Sequence, residues 1–237
     1  MRRAIGNARA RLSSKIAYRA IPFALLLLAL AVLFYFSVEV GEGDTLAWDQ
    51  AFLLALRHAD DVALPLGPAW ITTTMVNFTS LGGVAVLLFI TLATTGLLLV
   101  SRRPVEALFL CVALAGGWLS SNTLKLWVVR PRPDVVTHLA AVGDASFPSG
   151  HAMVSAATYL ALAIVASRFL SAPAQKAYIF MVAGTLICTI GVSRIYLGVH
   201  YPTDVLFGWC AGSLWTFACW LTFRRFFRHR SDGDAFR

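Results

Sequence analysis

The sequence predicts an all-α polytopic membrane protein: one domain over residues 1–237, with six transmembrane helices and an outer-side amphipathic helical segment. Three observations carry this. Of the 237 residues 58% are hydrophobic, and mean hydropathy is +0.71. Only 14% are charged, against roughly 25% in an ordinary soluble domain. Six apolar runs each approach the ~20 residues a helix needs to cross a bilayer.

The first run, about 20–40 ("AIPFALLLLALAVLFYFSVEV"), follows a basic tail of about 1–19. It is too long for a typical signal-peptide core and no small-residue cleavage site accompanies it, so it reads as a retained anchor. Segment 41–81 differs from the rest. In "TLAWDQAFLLALRHADDVALPL", Trp48, Phe52, Leu53 and Leu56 fall at helix-like spacing beside Asp49 and Arg57. That pattern suits an amphipathic helix on the outer surface, or equally a cover packed against the bundle. "NFTSLGG", Asn77 to Gly83, reads as a turn into the second run at 82–100. The third run, 105–128, ends before Pro131 and Pro133, which stop a helix. The fourth, 151–170, follows Ser149, a good N-cap residue. The fifth covers 177–194. The sixth, 203–223, follows Pro202, which suits a first helical turn, and a second basic tail runs from about 224 to 237.

The formal charge of +8 is mostly topological. With the N-terminus inside, 15 of the 20 basic residues fall in the two tails and in loops carrying Arg102, Arg103, Arg168 and Lys176. Lysine and arginine concentrate in cytoplasmic loops. The charge therefore argues for a bacterial inner (plasma) membrane protein with both termini cytoplasmic, and against a nucleic-acid partner. Lys125, Arg130, Arg132 and Arg194 break the rule together on the outer side, and such exceptions are where function is expected. Cys111, Cys188, Cys210 and Cys219 have no metal-ligand spacing and read as small buried hydrophobes.

Three polar blocks lie on that outer side, at the ends of the third to sixth spans: "KLWVVRPRP" (Lys125 to Pro133), "DASFPSGH" (Asp144 to His151) and "SRIYLGVHYPTD" (Ser193 to Asp204). A bundle brings these ends together. Lys125, Arg132 and Arg194 then form either a cationic clamp for phosphate oxygens or snorkelling side chains at lipid headgroups. Ser149 and Gly150 start a helix whose free N–H groups suit an anion, with His151 in its first turn. Asp204, four residues after His200, either orients one ring nitrogen or stabilises its own helix dipole. No carboxylate cluster among these blocks suits a divalent metal.

The blocks resemble those of the type 2 phosphatidic acid phosphatase superfamily, the lipid phosphatases related to vanadium haloperoxidases. The family pattern is K-x6-RP, then PSGH, then SR-x5-H-x3-D. Here it reads Lys125…Arg132-Pro133, Pro148-Ser149-Gly150-His151 and Ser193-Arg194…His200…Asp204. The resemblance implies a metal-free, cofactor-free lipid phosphatase acting at the periplasmic face. His200 is the implied nucleophile, Asp204 its orienter and His151 the general acid and base. Lys125, Arg132, Ser149, Gly150 and Arg194 are the implied phosphate-binding groups. Arg130 lies beside the motif but outside its pattern. The implied partner is a lipid phosphate in the bilayer: undecaprenyl pyrophosphate, phosphatidylglycerol phosphate, phosphatidic acid or a lipid A phosphate. Two other functions share these residues, a vanadate-dependent haloperoxidase and a non-catalytic lipid binder or transporter. Soluble haloperoxidases make six spans an argument against the first. The intact His151, His200 and Asp204 argue against the second. Oligomeric state is not encoded in any pattern here.

Overall fold

The computed structural model describes residues 2–234, with side chains from Ile21 to Phe227 apart from Phe23 and Arg225. Most basic residues of the two expected tails, Arg2 to Arg19 and Arg225 onward, lie outside the described side chains. Among the described residues the order is α1 (Arg2–Glu42), α2 (Leu46–Leu54), β1 (Arg57–His58), β2 (Asp61–Pro65), α3 (Ala69–Ser80), α4 (Val84–Val100), α5 (Pro104–Trp127), α6 (Gly150–Ser167), α7 (Pro173–Tyr196) and α8 (Pro202–Asp234).

Five of these helices, α1 and α5 to α8, are long and apolar enough to cross a membrane. The expected second span, 82–100, is the exception. α4 has 17 residues, a rise of about 26 Å against a hydrocarbon core of ~30 Å. It passes only jointly with α3, from which it is bent by 47°. The break is Leu81 to Gly83, so Asn77 to Ser80, expected in the turn, form the last turn of α3. Glycine at 82 permits the bend, because a Cβ there would lie 2.5 Å from Ile190 Cγ2. Tyr159 Oη donates to the Leu81 carbonyl at the break, at 2.9 Å. α4 nevertheless runs the length of α6: Gly82 abuts His151 at one end and Leu98 packs with Val165 and Phe227 at the other. With the bent α3–α4 pair counted as one span, the candidate spans among the described residues number six.

α6 is the most buried span and packs against α5, α7 and α8. Its small residues Ala152, Ala156 and Ala157 are fully buried. The outer surface of the bundle is apolar, with Leu27, Phe89, Leu97 and Trp127 more than half exposed. That surface would be forbidden in water and is natural where lipid is the solvent. It also corrects the reading of the cysteines. Cys219 is buried, but Cys188 and Cys210 are exposed on α7 and α8, because an apolar thiol needs no burial against lipid.

Segment 41–81 is not one surface helix. It is a short helix, an antiparallel hairpin pairing Arg57 with Pro65 and His58 with Asp61, and α3. The expected apolar face is divided. Trp48 and Phe52 are exposed, while Asp49, Leu53 and Arg57 are buried. The reason is a partner that local periodicity cannot reveal: Asp49 is bonded to Arg130, 81 residues away.

Candidate active site

The ends of α5 to α8 converge at one end of the bundle. Lys125 sits in the last turn of α5, beyond which Pro131 and Pro133 keep the chain extended. Ser149 stands at the N-cap of α6 and His151 in its first turn. Arg194 lies in the last turn of α7, and Asp204 in the first turn of α8. Between α7 and α8 the chain turns at Gly198, whose φ is +73°. A Cβ there would lie 2.8 Å from both Arg57 Nη2 and Val136 Cγ2, so only glycine lets this loop pack down and carry His200 inward. The Ser149 N–H donates to the Asp204 carbonyl at 3.1 Å, tying the starts of α6 and α8 together.

These ends enclose a cavity of about 260 Å³. Six of the eight expected site residues line it: Lys125, Arg132, Gly150, His151, Arg194 and His200. The other two, Ser149 and Asp204, stand fully buried behind its wall. The Ser149 hydroxyl does not cap its helix. It and Arg194 Nε are buried with no hydrogen-bond partner, although Arg194 Nη1 donates to Thr79 Oγ1 at 3.0 Å. Buried groups of this kind normally have partners, so two unsatisfied polar atoms belong to residues expected to hold phosphate. A methyl group on Gly150 would meet only Ser121 Oγ and Lys125 Cε, at 3.5 and 3.9 Å. The protein itself leaves that surface open.

The hydrogen bonds fix the tautomer of His200. Arg132 Nη1 lies 3.2 Å from His200 Nε2. A guanidinium can only donate, so Nε2 carries the lone pair and Nδ1 the proton. Nδ1 in turn faces Asp204 Oδ2 at 3.5 Å and Ser146 Oγ at 3.5 Å. Burial lowers the pKa of His200; Asp204 opposes the shift while Arg132 and Arg194 reinforce it, and the net value is about 4. The ring is therefore neutral near pH 7, with its Nε2 lone pair on the side of the cavity.

Sequence reasoning missed several functional neighbours. Asp144 lies in a quoted block but received no role. Its carboxylate bridges the clamp, 3.1 Å from Lys125 Nζ and 2.5 Å from Arg132 Nη2. Partial burial raises its pKa, but Lys125 and Arg132 outweigh that and hold it below the usual carboxylate range. Arg130, the unassigned arginine, turns away from the cavity. Its Nη1 donates to Asp204 Oδ1 at 2.6 Å and its Nη2 to Asp49 Oδ2 at 2.8 Å. Burial alone would lower its pKa, yet the two carboxylates raise it. Ser146 Oγ donates to Asp204 Oδ2 at 2.5 Å. The available signal for Arg130 was its place among the rule-breaking charges; nothing local marked Asp49. Among the described residues no group of three or more His, Cys, Asp or Glu side chains is placed to hold a metal ion.

Comparison with known proteins identifies the family. Residues 106–228 match the family model of the PAP2 superfamily. Phosphatidylglycerophosphatase B of Bacillus subtilis is 31% identical over 165 residues, covering 68% of this chain and 81% of that protein. An undecaprenyl-diphosphatase of Sulfolobus acidocaldarius is 32% identical over 80 residues, covering 34% of this chain and 32% of that protein. The crystal structure of a transmembrane PAP2-type phosphatidylglycerolphosphate phosphatase from Bacillus subtilis superposes with a TM-score of 0.73 and 27% identity, covering 82% of this chain and 93% of that one. Five to six candidate membrane spans among the described residues, convergent basic and histidine side chains at one end, and a family match over the helices that carry them lead to one assignment: the chain belongs to the PAP2 superfamily, as a membrane phosphatase of the lipid-phosphatase type.

Proposed function

We propose that the protein removes a phosphate from a membrane lipid at the periplasmic face, through a phosphohistidine on His200. The observation that carries this reading is the orientation of His200, whose Nε2 lone pair is turned to Arg132 and the cavity while Nδ1 faces Asp204. The substrate phosphate takes the place of the Asp144 carboxylate between Lys125 and Arg132. Arg194, the Ser149 hydroxyl and the Gly150 amide complete the cradle. Nε2 attacks phosphorus, an N–P bond forms and the bond to the leaving oxygen breaks. His151 supplies the proton that oxygen needs. In the second step His151 takes a proton from water, the water oxygen attacks phosphorus, and the N–P bond breaks to release phosphate. Phosphoryl transfer depends chiefly on positioning and on stabilising charge on the equatorial oxygens, which the cationic residues supply.

The names of the relatives favour a glycerolipid phosphate, with an isoprenoid diphosphate second. A lipid fits the placement of the site, because the cavity wall includes Trp118 and Val84, both about half exposed on the apolar side of the bundle. The test is phosphate release by detergent-purified protein with EDTA present, on a panel of phosphatidylglycerol phosphate, phosphatidic acid, undecaprenyl pyrophosphate and a lipid A phosphate. Wild type is expected to release phosphate from at least one lipid, and His200→Ala from none. Equal release by both proteins would overturn the proposed nucleophile.

A further inference from the structure

Behind the cavity lies a buried ionic cluster that the phosphate-binding residues do not explain. Asp49 and Asp204 are both fully buried, and Arg130 binds one with each end of its guanidinium fork. The same guanidinium stands over the Tyr201 ring, 4.2 Å from its centroid. Thr203 closes the cluster. Its hydroxyl donates to Asp49 Oδ2 at 2.6 Å and accepts from Arg130 Nη1 at 2.9 Å, while its N–H donates to Asp49 Oδ1 at 3.1 Å. Asp204 Oδ2 is left to Ser146, the Tyr201 N–H and His200. Each oxygen of Asp204 thus has a fixed assignment, one to Arg130 and one to the His200 side.

We propose that Arg130 and Asp49 are positioning residues for phosphoryl transfer, holding the Asp204 carboxylate at His200 and making the 41–81 segment part of the catalytic apparatus. The inference rests on the reading of His200 as nucleophile and Asp204 as its orienter. Two arguments support it. The first is geometric. A buried ion pair is a weak source of net stability, but removing one partner is costly. Such a cluster fixes carboxylate direction more than it adds free energy. The second is electrostatic. Two carboxylates share one guanidinium, leaving one negative charge in excess while the His200 ring is neutral. When Nε2 takes the phosphoryl group with Nδ1 still protonated, the ring becomes cationic and cancels that excess. A fixed charge that matches the charge developing during reaction is the arrangement that accelerates it.

The other charged or titratable groups facing His200 are Arg132 from the α5–α6 loop, Lys125 on α5, His151 on α6, Arg194 on α7 and Asp144. Asp49→Asn leaves all of them in place and keeps the shape of the cluster. It is expected to lower kcat roughly 10- to 100-fold, the scale of a misplaced catalytic group. KM and the inhibition constant for inorganic phosphate are expected to stay within about twofold, the signature of an interaction made only in the transition state. The acid limb of kcat/KM is expected to move to lower pH, because the cationic ring has lost a counter-charge. Arg130→Lys, which keeps the charge but loses the fork, is expected to show the same kcat-only loss, smaller than that of Arg130→Gln. It also carries the test if Asp49→Asn does not fold. His200→Ala is assayed alongside. An inactive His200→Ala with wild-type kcat in Asp49→Asn and Arg130→Lys overturns the positioning role and leaves the nucleophile standing. A loss of kcat that only tracks the folded fraction, with the acid limb unmoved, also overturns it. An active His200→Ala overturns the nucleophile, and the positioning role with it.

Discussion

His200 sits in a surrounding that strips its proton and keeps its direction. Burial, reinforced by Arg132 and Arg194 and opposed by Asp204, puts its pKa at about 4, below the ordinary value of ~6.5. The consequence for pH has a definite sign. Between about 4 and 6.5 the unfolded chain binds a proton at this site and the folded chain does not, so stability rises with pH across that window. The His200 contribution is fully present above pH 6.5 and is lost as pH falls toward 4. For chemistry the same value means that the ring remains a nucleophile well below pH 6. Trapping of alkali-quenched phosphoenzyme, formed from a labelled substrate at each reaction pH, is expected to fall to half near pH 4. Half-loss near pH 6.5 would mean an exposed, ordinary histidine. That this residue and the seven others named with it come together at one end of the bundle was legible because their motifs fall at the ends of apolar runs. Asp49 was not readable. Its only sequence signal, a place beside Trp48 and Phe52 on an amphipathic pattern, did not say which way it faces. The partner that turns it inward lies on another element, and local periodicity carries no information about that.

At the scale of elements, the site depends on how closely α6 and α8 approach. Gly208 and Gly212 of α8 are four residues apart, the spacing of the small-residue motif that lets membrane helices meet at backbone distance. A Cβ on Gly208 would lie 2.9 Å from the Ser149 carbonyl oxygen, and one on Gly212 only 2.2 Å from that of Met153. Thr216 continues the contact by a hydrogen bond from its hydroxyl to the Ala157 carbonyl at 3.0 Å. This seam sets the separation of the α6 start, with Ser149 and His151, from the α8 start, with Asp204. Gly212→Ala forces the two backbones apart. It is expected to cost about 1–3 kcal/mol, the range for overpacking a filled core, and to lower kcat at temperatures where the protein remains folded. Gly184→Ala on α7 is the control, since nothing lies within 4 Å of its Cβ position. There the gain in helix propensity is about 0.5–1 kcal/mol, and activity is expected to be unchanged. Thermal midpoints in detergent and phosphate release check both. The spans themselves were legible to within a few residues at the site ends, because apolar run length is a property of local sequence. The bend between α3 and α4 was not, since it depends on Gly82 meeting Ile190 of α7.

For the whole molecule, the question is which side of the membrane the cavity faces. Apart from Arg57 and Arg130, which lie at the site end, the described basic residues outside the site are at the opposite end of the bundle: Arg102 and Arg103 before α5, Arg168 after α6, Lys176 at the start of α7 and Arg224 on α8. There Glu106 is buried beside Arg168 and Arg103, at 3.4 and 3.8 Å, and Arg168 also holds the Phe227 carbonyl. The proposed periplasmic placement of the cavity, among lipid headgroups of the outer leaflet, rests on the bias of lysine and arginine toward cytoplasmic loops. The number of crossings makes a second, independent demand. With α4 as a crossing the count is even and both termini share a side; with five crossings they would not. A green fluorescent protein fused after Arg237 is therefore expected to fluoresce, and alkaline phosphatase at the same position to be inactive. Alkaline phosphatase fused after Gly143, in the loop that carries Asp144, is expected to be active. An N-terminal tag is expected to resist protease added to intact spheroplasts. Fluorescence at the C-terminus with a cleavable N-terminal tag would reduce the count to five and detach α4 from the bundle's crossings. Activity after Arg237 with none after Gly143 would invert the protein, and the substrate would then have to be a lipid of the inner leaflet.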